Sequence, residues 1–126
     1  MLTAVFAALA VAGIAGGCGT GRSVSPALAI DTSGDPGSGA ELIGAHGCGA
    51  CHRIPGIPGA RSLVGPPLDG WSYRSYVAGA LLNNEENLVR WLVDPQVIEP
   101  GTAMPSLGLT EAEARDITAY LFSRTG

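Results

Sequence analysis

The sequence predicts a small all-α domain of three or more short helices joined by long loops. Three observations point there. Gly and Pro number 19 and 9 in 126 residues, well above the roughly 12% of an average chain, and they cut regular structure into short pieces. Twice a Ser or Thr is followed three residues later by Glu and then by apolar residues, the pattern that starts a helix. No stretch alternates apolar and polar residues in a way that makes a convincing hairpin strand.

The apolar run from Leu2 to Ile14 is too short for a membrane span, which needs about 20 residues, and suits the core of a signal peptide. Ala15, Gly16 and Gly17 before Cys18 resemble the processing site of bacterial lipoproteins, which implies that Cys18 is acylated and becomes the new N-terminus. An ordinary cleaved signal or an uncleaved anchor is the alternative. The next twenty residues, rich in Gly, Ser, Thr, Pro and Asp, hold too few large apolar side chains to offset ordering entropy. The chain therefore divides into a signal peptide (1–17), a flexible tether (18–38) and one folded domain (39–126).

Within the domain, Ser38 and Glu41 predict a helix from about Gly39 to Gly47. Asn84 as a cap, the apolar Leu88, Trp91 and Leu92, and a stop at Asp94 before Pro95 predict a middle helix. Thr110 with Glu113, and the stripe Ala114, Ile117, Tyr120 and Leu121, predict a C-terminal helix that covers the first.

Cys48-Gly49-Ala50-Cys51-His52 is the strongest signal in the chain. Two thiols three residues apart followed at once by an imidazole is the pattern of covalent c-type haem attachment. On one turn both sulfurs reach the two vinyl groups of a porphyrin while His52 faces the iron, and Gly49 and Ala50 keep the turn thin beside the macrocycle. Zinc would want a second ligand pair, and none follows Cys51. A dithiol redox centre would want alternating strands and helices, which this sequence lacks. One such pentapeptide implies one haem c.

Electron shuttling favours two filled axial positions, and a soft thioether raises the potential. Met104, between Pro100-Gly101 and Pro105 in a segment too proline-rich for a helix interior, is the candidate sixth ligand. A core-filling Met is the bland alternative. His46, six residues before His52, reads as a helix-end or surface histidine.

Residues 39–123 then resemble the class I c-type cytochromes: helix, CxxCH, Gly-Pro loop, middle helix, Pro-Gly-x-x-Met-Pro loop, and a last helix with Ala-Tyr-Leu. That resemblance implies that the Pro66 carbonyl orients His52 and that Gly39 and Tyr120 mark a helix crossing, with Ile43 where Phe or Tyr is common. Tyr76 to Leu81 and Arg90 to Gln96 are similar to the cytochrome c domain joined to subunit II of bacterial haem-copper oxidases. The likeness implies Trp91 and Tyr73 near the haem and Arg74 on a propionate, each of which is otherwise ordinary packing or surface. Arg53 and Arg61 either flank the haem edge or are plain surface cations.

Seven basic residues, all Arg, against eleven acidic ones give a net charge of −4, which speaks against nucleic acid as a partner. The expected function is one-electron transfer rather than catalysis, outside the bacterial membrane in the periplasm or on its outer face. Redox proteins are the expected partners, a haem-copper oxidase or a dehydrogenase among them, presenting basic or apolar surfaces. A haem subunit of a periplasmic dehydrogenase and a gas sensor from which Met104 departs are the rival readings.

Overall fold

The computed structural model describes residues 31–124, so Cys18, the signal peptide and most of the tether lie outside the described residues. Four helices carry the fold: α1 (Pro36–Ala45), α2 (Glu85–Val93), α3 (Pro95–Ile98) and α4 (Glu111–Ser123). Single 3-10 turns at Cys48–Ala50 and Trp71–Tyr73 punctuate the long loops.

The first helix starts three residues before the Ser38–Glu41 pattern places it. Asp35, not Ser38, is the cap: its carboxylate accepts the Ser38 N–H at 2.7 Å, and Pro36 fills the first helical position, where no N–H is needed. The residues ahead of the helix are also docked. The Asp35 N–H donates to Asp116 of α4, and Ser33 donates to Glu85 of α2 through both its N–H and its hydroxyl. The folded body thus takes in the last residues assigned to the tether.

Gly39 sits where α1 crosses α4. A Cβ there would strike the Asp116 carbonyl and come within 3.0 Å of the Tyr120 Cβ, so only glycine permits this crossing distance. Ile43, on the same helix, is buried.

Asn84 caps α2 by accepting the Asn87 N–H at 2.9 Å. Asp94 ends that helix and starts α3, taking the Gln96 N–H on its carboxylate. Pro95, read from sequence as a stop, is also the first residue of a new turn.

A second correction concerns strands. Tyr76–Val77 (β1) and Leu81–Leu82 (β2) pair antiparallel in the register Tyr76 with Leu82 and Val77 with Leu81. Ala78 and Gly79 between them both have positive φ, 50° and 74°, the backbone of a tight primed turn. Two residues per strand leave too short a pattern for periodicity to reveal.

The last helix opens with the full reciprocal cap. Glu113 N–H donates to the Thr110 hydroxyl at 3.3 Å, and its carboxylate accepts the Thr110 N–H at 2.8 Å. The Thr110 N–H foremost, and the Thr110 hydroxyl as well, donate to the Glu113 carboxylate and hold it below its ordinary range. A carboxyl depressed on folding adds stability that is present above its unfolded value and is lost as pH falls through its folded value. Thr110→Ala should therefore cost about 1 kcal/mol at neutral pH and progressively less in acid, where Glu113 is protonated, as read from urea midpoints of the haem-loaded protein.

Buried Ile117, Leu121 and Phe122 of α4 and Leu88 and Leu92 of α2 form the core with Ile43. Tyr120 reaches out of it to donate its hydroxyl to the Pro55 carbonyl at 2.7 Å, tying the C-terminal helix to the loop after His52.

Candidate haem site

The core is incomplete on one side. Residues of α1, α2, α4 and the loops surround a mostly apolar cavity of about 510 Å³, within the roughly 300–1,000 Å³ of small-molecule and cofactor sites. Cys48, Cys51, His52 and Met104 all border it.

The attachment turn follows α1 directly. Gly47, at φ 69°, ends the helix in the left-handed region, and the Cys48 carbonyl accepts the Cys51 and His52 N–H groups. Neither Cys48 nor Cys51 is in a disulfide, and Cys48 is the more buried of the two. The turn must also be thin toward the protein: a Cβ at Gly49 would come within 2.9 Å of Ala60. Glycine is needed there by the following loop.

His52 is held from behind. Its Nδ1 lies 2.7 Å from the Pro66 carbonyl oxygen. A carbonyl only accepts, so Nδ1 carries the proton and the lone pair is on Nε2. The Gly65 N–H donates to the Cys51 carbonyl at 2.6 Å and the Leu68 N–H to the Arg53 carbonyl at 2.8 Å, which fix the loop carrying Pro66. A Cβ at Gly65 would stand 2.6 Å from His52 Cε1. Gly65→Ala should therefore displace the imidazole, lowering haem incorporation and shifting the potential, checked by the haem-to-protein absorbance ratio and a redox titration.

On another wall, the Trp91 indole N–H donates to the Met104 sulfur at 3.1 Å. Trp91 is buried and borders the cavity. Arg74 also borders it. Its guanidinium donates to the Pro67 and Asp69 carbonyls and lies 5.0 Å above the Trp71 ring. Tyr73 does not belong to the site. It is 60% exposed and absent from the cavity wall, because residues two apart on a 3-10 turn face different ways and the buried one is Trp71.

Trp71 is what sequence reasoning missed. It lines the cavity, and its indole N–H is buried with no partner among the described residues. Asn83 was missed as well: its amide donates to the Trp71 carbonyl at 2.9 Å and the Arg74 carbonyl at 3.0 Å, fixing both residues. A buried donor without a partner is costly, so Trp71 fits a cavity that takes a group with acceptor oxygens. Apolar walls, two thiols, an imidazole, a thioether, and a cation beside an orphan donor fit a porphyrin bearing two carboxylates.

His46 caps the C-terminus of α1 and stands 3.9 Å from Glu113, away from the cavity. Arg53 pairs with Asp69 at 2.9 Å, a bond that holds the Asp69 carboxyl below its ordinary range. Arg61 joins Arg53 through an isolated backbone bridge.

A small helical domain with a CxxCH turn beside such a cavity defines the covalent haem proteins that carry electrons. The cytochrome c family model matches residues 37–125, and the chain belongs to that family. It is 34% identical over 86 residues to cytochrome c oxidase subunit 2 of Alkalihalophilus pseudofirmus, covering 68% of this chain and 24% of that protein. It is 36% identical over 87 residues to cytochrome c oxidase subunit 2 of Bacillus sp. strain PS3, covering 66% and 24%. The chain thus spans about a quarter of the length of these curated relatives. Among solved structures, cytochrome c2 from Rhodobacter sphaeroides superposes with a TM-score of 0.56 at 26% identity, covering 73% of this chain and 97% of that one. With the family come the cofactor, one covalent haem c, and its chemistry: the iron gains and loses one electron, and no substrate bond is made or broken.

Proposed function

We propose that this protein carries electrons to a terminal oxidase through one haem with His52 and Met104 as axial ligands. The observation that carries this reading is the shared cavity: His52, its Nδ1 occupied by Pro66, and Met104, its sulfur beside Trp91, border the same apolar space. Cys48 and Cys51 would hold the haem through two thioether links. His52 Nε2 and the Met104 sulfur would ligate its iron. Arg74 and the Trp71 N–H would neutralise and hydrogen-bond its propionates. The apolar walls limit water and so set the potential.

Electrons leave where residues that border the cavity are most exposed. Cys51 is exposed, and Val64 and Tyr76, which border the cavity, are 82% and 54% exposed. None of these carries charge. A partner docks there briefly through an apolar or basic surface rather than through a ring of lysines, of which this chain has none. Two curated relatives bear the name cytochrome c oxidase subunit 2, which supports an oxidase as the acceptor.

Export by residues 1–17 and a lipid on Cys18 tether the domain to the outer face of the membrane, with the segment from Cys18 toward α1 as the linker. No helix among the described residues is long and apolar enough to cross a membrane. The test mixes reduced protein with solubilised membranes of its native host. Rapid oxidation that cyanide abolishes supports the oxidase, whereas oxidation at the cyanide-treated rate removes it. The mass of the mature N-terminus decides the acylation of Cys18.

A further inference from the structure

The segment bearing Met104 has little structure of its own. Among the described residues, no backbone-to-backbone hydrogen bond involves residues 103–109, and Gly101 ahead of them has φ 86°. Three side chains from α2 and the turn after it supply what the backbone lacks. Trp91 donates to the Met104 sulfur, the Asp94 carboxylate accepts the Ser106 hydroxyl at 2.9 Å, and Gln96 makes the rest.

The Gln96 amide meets this segment at three points. Its Nε2 donates to the Thr102 carbonyl at 2.8 Å and to the Met104 carbonyl at 2.9 Å, and its Oε1 accepts the Gly101 N–H at 3.1 Å. Both donor hydrogens and one acceptor lone pair are used on residues 101–104. The bond to Met104 is to that residue's own backbone.

We infer that Gln96 is a positioning residue that holds Met104 on the iron, above all in the ferric state. This rests on the reading of Met104 as a ligand. A thioether is a soft, neutral donor that suits ferrous iron better than ferric, so the ferric bond depends more on how little the sulfur can wander. Gln96 keeps the population with Met104 displaced small. An added ligand that binds only that population has an apparent affinity proportional to it.

The probe is imidazole titrated into the ferric holoprotein at neutral pH, in wild type, Gln96→Leu, Met104→Ala and the double variant. Gln96→Leu should bind imidazole at least tenfold more tightly than wild type. In the Met104→Ala background the same change should have little effect, because no sulfur remains to be held. Gln96→Glu keeps the acceptor for Gly101 but sets a carboxylate against two carbonyls, so it should shift affinity in the same direction. Whichever of the two Gln96 variants takes up haem carries the test. An affinity within twofold of wild type, or an equal rise with and without Met104, overturns the role of Gln96, whatever happens to global stability. Equal imidazole affinity in wild type and Met104→Ala instead overturns Met104 ligation, and the inference with it.

Discussion

Replacing Cys48 and Cys51 together by alanine should yield a chain that retains no haem after denaturation and does not unfold cooperatively. The first effect is chemical, since these are the two thiols beside the cavity. The second follows from the size of that cavity. Without haem the apolar walls of this cavity of about 510 Å³ would stand in water, a loss of burial that is large against the marginal stability of an ordinary domain. The haem-free chain therefore collapses or unfolds rather than holding the native shape empty. Far-ultraviolet circular dichroism through a urea titration checks this, and a sharp transition matching the loaded protein would contradict it. Each single replacement should keep one thioether, and with it a reduced yield of coloured protein.

Met104→Ala should abolish the weak long-wavelength band of sulfur-ligated ferric haem and lower the potential by a sizeable part of the roughly 0.8 V that axial ligands command. Losing a soft neutral ligand favours the ferric state. It also opens an iron position, so the ferrous variant should bind carbon monoxide tightly where the wild type binds it poorly. Trp91→Phe, which removes the N–H that meets the sulfur together with part of the ring, should keep the band and shift the potential by less. A Met104→Ala spectrum and potential equal to wild type would show that Met104 only packs the wall.

What was legible in the sequence is what is local in the chain. The Asn84 cap and the Thr110–Glu113 reciprocal cap each span three residues and fold as the pattern says. Cys48 to His52 is contiguous, so its chemistry could be read without a structure. The start of α1 was misplaced because Asp35-Pro36 reads equally as a turn, and its docking on Asp116 involves a residue 81 positions away. Two-residue strands and the four-residue α3 fall below any periodicity.

The same division runs through the site. Pro66 was reachable because an imidazole ligand needs an acceptor behind it and the family resemblance pointed to the segment. The need for glycine at position 65 comes from His52, and the Asn83 contacts join residues 9 and 12 apart. No local pattern marks such pairs. Only the family likeness points to Tyr73, and the short turn that buries Trp71 directs it outward.

The most direct test of the account is acid–acetone extraction of protein matured in its native host, followed by the mass of the polypeptide. The account predicts that the colour stays with the chain, which carries the mass of one haem, and that its pyridine complex has the spectrum of a porphyrin with both vinyl groups saturated. Haem passing into the acetone, leaving a colourless chain that weighs no more than its amino acids and any lipid, would contradict it.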